Sequence, residues 1–228
     1  VSLVLASGSP QRREILQKLG LEFDVVVPGV DELTGGDPDF EVVENARLKA
    51  YAVARAGGEG VGWCPAVPEA VEGEASDLDA RDPSARSSAQ GKGGHPTPST
   101  GPARLVIACD TDVVLDGKAL GKPADVDEAR EYLDRMSGRS HEVLSGLVVL
   151  SGGEERSGLD RTTVVFKQLD EAAKERYVRF GEWRGRSGGY AIQTLGSSLV
   201  ERIEGSVSNV VGLPVGLLLE LAPELFEP

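Results

Sequence analysis

Apolar and polar positions along this chain switch repeatedly between a two-residue and a 3.6-residue period. Leu3–Ala6 is a short apolar run that reads as a buried strand. Ser9-Pro10 follows, a hydroxyl able to cap a helix and a proline suited to its first turn, and Ile15, Leu16 and Leu19 form an apolar stripe that ends at Gly20. Phe23–Val27 is a second strand, and Val43, Ala46, Ala50 and Val53 predict a helix over about Asp39–Ala56. Further on, Leu105–Cys109 and Asp112–Leu115 read as strands, with Asp116-Gly117 as a hairpin turn. Asp125 followed by Glu128 resembles a capping box for a helix closed by Gly138. Strands near Glu142–Leu150 and Thr162–Lys167, a helix from about Glu171 to Phe180, a strand near Leu199–Ile203 and a helix after Pro214 complete the pattern. The alternation predicts an α/β or mixed α+β fold without internal repeats.

One stretch has neither period. Gly57–Arg104 is dominated by Gly, Pro, Ser, Ala and acidic residues, too poor in apolar side chains to offset the entropy of ordering it. It reads as a mobile insertion at 57–104 within a single domain spanning residues 1–228, an expectation under which a short Gly/Ser bridge could replace it. Both Cys64 and His95 fall inside it. With only Cys109 and His141 besides, neither a disulfide framework nor a Cys/His zinc site is expected.

Composition narrows the partners. Among 228 residues, 24 Lys+Arg stand against 37 Asp+Glu, a formal net charge of −13. That balance argues against nucleic acid, which needs a broad basic face, but leaves room for a small anion held by a local cationic cluster. No apolar run is long enough to span a bilayer, which argues against a membrane partner, and VSLVLASGSP lacks the basic flank of a signal peptide. A cytoplasmic location is expected.

Several segments can carry chemistry. Ser7-Gly8-Ser9-Pro10-Gln11-Arg12-Arg13 joins a strand to a helix start, where free N–H groups and the helix dipole favour phosphate; Arg12 can add a bidentate contact. Consecutive helical residues point about 100° apart, so Arg12 and Arg13 cannot both face one phosphate. By itself this segment reads better as an ordinary N-cap with solvated arginines. Asp110-Thr111-Asp112 places carboxylates at the end of a strand, where open sheets bind ligands; Asp110 could bind Mg²⁺ or take a proton from water, or simply cap a turn. In Gly121-Lys122-Pro123 a rigid backbone could aim a lysine at phosphate. Glu32 reads as a loop acid and Lys49 as a helix-surface charge, with Glu41, Asn45 and Lys49 forming an exposed stripe. Gln193, in the glycine-flanked loop Gly188–Gly196, offers both a donor and an acceptor to a base edge. His141 reads as a strand residue rather than a base.

In order, LVLASGSPQRREILQKLGLEFDVVVPGVDE, NARLKA, VIACDTDVVLDGKALGKPADVDEAREYLDRMSGRSHEV and GGYAIQTLGSSLVERIEGSVSNVVGLP resemble the Maf family of nucleoside triphosphate pyrophosphatases, also described as septum formation proteins. The resemblance covers nearly everything outside 57–104. It implies a long mixed β-sheet flanked by helices, two lobes with a central cleft, and hydrolysis of a nucleoside triphosphate to the monophosphate and pyrophosphate with a divalent cation (Mg²⁺ or Mn²⁺). Carried over, Asp110 is the catalytic proton acceptor; Ser7, Arg12, Lys49 and Lys122 bind substrate; Glu32 and Asp110 hold metal. Thr111 and Gln193 match the branch acting on dTTP and UTP. Gln11 stands where that branch usually has arginine and joins Thr111 and Gln193 as a specificity position. A homodimer is compatible with the resemblance.

Other readings are a pyrophosphatase for 7-methyl-GTP or of broad specificity, a cell-division regulator acting by binding, and a nucleotide-binding module without turnover. Retention of Arg12, Lys49, Asp110 and Lys122 together favours an enzyme.

Overall fold

The computed structural model describes residues 2–56 and 104–227. Strand β1 (Ser2–Ala6) lies between β2 (Asp24–Val26) and β3 (Arg104–Leu115), parallel to both. The sheet continues antiparallel through β5 (Ser140–Ser151), β6 (Glu154–Phe166) and β7 (Val200–Glu204), while β4 (Lys118–Leu120) pairs with the end of β3. Seven strands thus form one mixed sheet in the order β2-β1-β3-β5-β6-β7, with β4 off that path.

Side-chain alternation along β3 sorts the core. Leu105, Ile107 and Cys109 join a cluster with Leu16 of helix α1 (Pro10–Lys18) and Leu218 of helix α6 (Val215–Leu221). Val106 and Ala108 face the other way, onto Ala46, Ala50 and Val53 of helix α2 (Pro38–Ala56). Both faces of the strand are therefore buried, which explains its near-continuous apolar run. Beyond the middle of β3, Val113 and Leu115 enter a second lobe with Leu133 of helix α3 (Val126–Met136), Tyr177 of helix α4 (Glu171–Phe180), Phe166 and Trp183. A mixed sheet, flanking helices and two lobes agree with the predicted architecture.

The local signals are realised atom by atom. Ser9 Oγ accepts the Arg12 N–H at 3.5 Å and Pro10 opens α1. Asp125 Oδ1 accepts the Glu128 N–H at 2.9 Å, while the Glu128 carboxylate accepts the N–H of Ala124, one residue before the cap. Asp116 (φ 53°) and Gly117 (φ 73°) make the β3–β4 turn, both in the left-handed region that a two-residue hairpin demands.

Some expectations need correction. The strands read as Leu105–Cys109 and Asp112–Leu115 are one continuous strand, because Cys109-Asp110-Thr111 keeps pairing with Leu147-Gly146-Ser145 of β5. Asp110 is consequently a mid-strand residue, and its turn-capping reading falls. Strand β6 begins at Glu154, well before Thr162; its first half is polar, and the Gly152-Gly153 turn folds it back in register on β5. A short helix, α5 (Val207–Val211), was not predicted, and β2 is Asp24–Val26 rather than Phe23–Val27. Of the proposed insertion, Arg104 opens β3 opposite Ser2, and residues 57–103 with Cys64 and His95 lie outside the described residues.

Candidate active site

The cleft begins where β3 lacks a neighbour. On one edge β3 pairs with β5 along most of its length. On its other edge β1 covers 104–107 and β4 covers 113–115, and among the described residues no strand pairs with the stretch between them. A cleft of about 1040 Å³ opens there, lined by all nine predicted site residues: Ser7, Gln11, Arg12, Glu32, Lys49, Asp110, Thr111, Lys122 and Gln193. An edge gap between lobes exposes side chains from a rigid strand, a setting in which sheets of this kind bind ligands.

Strand parity decides which helix each residue meets. Asp110 shares the parity of Val106 and Ala108 and faces α2. Lys49 Nζ donates to Asp110 Oδ1 at 2.5 Å, and Asn45 Nδ2 donates to Oδ2 at 3.2 Å. The same ammonium lies 2.5 Å from Glu32 Oε1. The stripe Glu41, Asn45, Lys49 is thus not a solvated face: relative exposures are 5%, 2% and 8%. What allows this burial is Gly146, opposite Asp110 in the register, where a Cβ would come 2.2 Å from the Val42 carbonyl oxygen. Glycine lets α2 lie directly on the sheet and brings its polar stripe over Asp110.

Thr111 has the opposite parity and faces α1. Arg12 reaches it with Nη2 at 3.1 Å, donates from Nη1 to Ser7 Oγ at 3.1 Å and from Nε to the Gly212 carbonyl at 2.8 Å. Ser7 Oγ also accepts the Ser9 N–H at 3.1 Å, which shapes the loop before α1. All of these acceptors are neutral, and among the described residues no carboxylate pairs with Arg12. Arg13 is exposed, as the helical angle requires. The Thr111 hydroxyl is already engaged, 2.8 Å from Ser145 Oγ and 3.3 Å from the Gly212 oxygen, so here it braces Arg12. Cys109 Sγ lies 3.4 Å from the same carbonyl, and burial pushes its thiol pKa up, which marks it as inert packing.

Toward the second lobe, Lys122 and Gln193 are exposed on the cleft wall, and Gln11 Oε1 accepts the Ser9 hydroxyl at 3.1 Å. Ser187, which the sequence reading missed, lies 2.9 Å from Asp112 Oδ1 and accepts the Val113 N–H at 3.2 Å, pinning its loop to β3. Burial raises the Asp112 carboxyl pKa; the Ser187 hydroxyl opposes that shift and the charges of Asp110, Glu32 and Glu41 add to it. His141 is buried, with Nε2 2.8 Å from the Tyr190 hydroxyl, and burial lowers its pKa to about 4. It lies behind the cleft wall, bonded to Tyr190, which lines the cleft. Asn45, Gly146 and Gly212 were invisible as site residues, because each acts through contacts distant in sequence.

The carboxylates define what cation could be held. Among the described residues no group of three or more His, Cys, Asp or Glu side chains is disposed to hold an ion. Asp110 and Glu32 meet at Lys49, a pair that suits Mg²⁺ only in the mode where substrate phosphates supply further oxygens.

A strand-to-helix anion loop and an acid on an open strand edge are shared by many folds, so the full chain has to decide. The profile of "Maf-like protein" matches residues 2–225, both lobes and the cleft between them. The chain belongs to the Maf family. A Maf relative named dTTP/UTP pyrophosphatase, from Deinococcus radiodurans, is 38% identical over 220 residues, covering 96% of this chain and 90% of its own. Another of the same name, from Pyrococcus furiosus, is 34% identical and covers 96% of this chain and 93% of its own. Among solved structures, the Ham1 protein of Staphylococcus aureus aligns with 73% of this chain and 72% of its own, 12% identical with a TM-score of 0.38. At that similarity the Maf architecture rests on the strand pairing described above. No helix among the described residues is long and apolar enough to cross a membrane.

Proposed function

We propose that this Maf protein hydrolyses dTTP and UTP between the α- and β-phosphates, releasing the monophosphate and pyrophosphate. The observation that carries the reading is the pairing, across one strand, of an anion site and an oriented acid. Beside the start of α1, Arg12 presents a guanidinium that, among the described residues, has no carboxylate partner, and Asp110 is held by Lys49 and Asn45 on the neighbouring position of β3. The names of the relatives supply the choice of nucleotide.

In this reading Ser7 and Arg12 bind phosphate oxygens beside the N-terminus of α1, and Lys122 closes on the chain of phosphates from the opposite wall. Asp110 orients the attacking water and receives its proton as the bond to phosphorus forms; the α–β bridging oxygen leaves with pyrophosphate. Lys49 keeps the Glu32 and Asp110 carboxylates together. A divalent cation bound by Asp110, Glu32 and phosphate oxygens would neutralise charge developing on the transferred group. Gln193 and Gln11, which line the cleft, contact the nucleoside in this reading, and an amide that pairs with a pyrimidine edge rejects bases that leave it unsatisfied.

Pyrophosphate release from a panel of dTTP, UTP, dCTP, ATP, GTP and 7-methyl-GTP, with Mg²⁺, Mn²⁺ or chelator, tests the reading. Expected are a preference for dTTP and UTP, loss of turnover with chelator, and a Gln193→Ala variant whose preference drops about tenfold while phosphate affinity holds. Equal rates on all nucleotides, or a preference for 7-methyl-GTP, would reject the assigned specificity; binding without release would reject the enzyme.

A further inference from the structure

Helix α2 does more than supply Lys49. Its residues 41, 45 and 49, spaced one helical turn apart, each hold one point of the loop that carries Glu32. Glu41 Oε1 accepts the Gly36 N–H at 2.5 Å. Asn45 Oδ1 accepts the Leu33 N–H at 2.7 Å, and its Nδ2 donates to the Leu33 carbonyl at 3.1 Å. Lys49 Nζ meets Glu32 at 2.5 Å. The loop therefore runs antiparallel to the helix, fastened side chain by side chain.

Asn45 stands in the middle of this strap and has a further partner. Its Nδ2 also donates to Asp110 Oδ2 at 3.2 Å. Both of its N–H bonds and its oxygen are thus used, and at 2% exposure water cannot replace them. The loop it grips is otherwise thinly held: residues 31–37 are all exposed. No other common side chain of this size reproduces the set. Aspartate would keep the acceptor for Leu33 N–H but place a second carboxylate against Asp110 and the Leu33 carbonyl. Leucine would keep the volume and lose every bond.

We propose that Asn45 is a positioning residue, joining the Glu32 loop to Asp110 so that the two carboxylates converge on one ammonium; its catalytic consequence rests on the pyrophosphatase reading above. The bonds to Leu33 fix where Glu32 starts, and the bond to Asp110 fixes which way that carboxylate turns. Misplacing a reacting group by about 1 Å can cost about 10²-fold in rate, so a clamp that touches no substrate can still govern turnover.

The test compares Asn45→Ala and Asn45→Asp with the wild-type protein in dTTP turnover, in hydrogen exchange at the Leu33 amide, and in a double-mutant cycle with Glu32→Ala. Expected in both variants is a kcat about 10²-fold lower with KM changed by less than about threefold, and, in Asn45→Ala, which removes the acceptor of the Leu33 N–H, faster exchange at Leu33. In the Glu32→Ala background, Asn45→Ala should cost about tenfold rather than about 10²-fold, since one of the two carboxylates it positions is gone while Asp110 remains. Fully additive losses, a defect confined to KM, or unchanged exchange at Leu33 in Asn45→Ala would overturn the proposal. Should Asn45→Ala fail to fold, Asn45→Ser provides the same three readouts in a smaller perturbation. A wild-type protein that turns over no nucleotide rejects the function instead, and with it the catalytic role of Asn45, while faster exchange in Asn45→Ala would still establish the clamp.

Discussion

Arg12 and Lys49 approach β3 from opposite faces, and their charges are spent differently. Arg12 is held by three neutral acceptors, the Gly212 carbonyl and the hydroxyls of Ser7 and Thr111. Those contacts orient the guanidinium without cancelling it. Lys49 lies between two carboxylates, Glu32 and Asp110, and its charge is consumed in holding them. Two basic residues in one cleft are therefore not two equal contributions to phosphate binding. In the proposed reading, a chain of net charge −13 attracts a triphosphate only locally, and Arg12 beside the α1 terminus, with no carboxylate partner among the described residues, is where that attraction concentrates. Lys49 belongs instead with the acid, as the centre on which Asp110 and Glu32 are aimed.

The comparison is most severely tested at Asp110, the acid on the Lys49 side. Asp110→Asn keeps the shape and removes the charge, and kcat should fall by about 10³-fold with the melting temperature little changed. Turnover within a few-fold of wild type would remove Asp110 from the reaction. Next in size is a split between the two cations. Arg12→Met should raise KM by about 10²-fold, the loss of charge-assisted bonds to phosphate, with a smaller change in kcat. Lys49→Met should act the other way, lowering kcat by about tenfold or more while KM moves less. Identical profiles for the two variants would show that the cations are interchangeable. The smallest effect concerns the support. Gly146→Ala puts a methyl group against the α2 backbone, which must shift away; overpacking of this kind should lower the melting temperature by about 5 °C. It should also weaken the Lys49 side of the site more than the Arg12 side. Calorimetry and steady-state kinetics on one preparation read both.

Legibility followed how local each signal was. The α1 start could be read because its cap, proline and apolar stripe lie within a dozen residues, and the Asp116-Gly117 turn because positive φ at two successive positions has few sequence solutions. The first half of β6 could not, since its polar residues acquire strand geometry from pairing with β5. Asp110 looked like a turn residue for the same reason: Cys109-Asp110-Thr111 interrupts the apolar run, and only the β5 partner shows the strand passing through. Nor could the burial of Glu41, Asn45 and Lys49 be read. Three polar side chains at helical spacing describe a solvated face unless something covers them, and the cover consists of residues from a loop and a strand far away in sequence.

The sequence by itself determined most of the element order, the helix caps, the Asp116-Gly117 turn and the ordered motifs that resemble the Maf family. Each depends on neighbours along the chain, where backbone geometry and side-chain period act directly. Tertiary structure alone decided which helix covers each face and how close it comes. Gly146 admits α2 to the sheet, the gap between β1 and β4 leaves the edge of β3 open, and Gly212, two hundred residues from Arg12, receives its Nε. Charge pairing, burial and the direction of a carboxylate are properties of what stands opposite, and what stands opposite is set only when the chain has closed on itself.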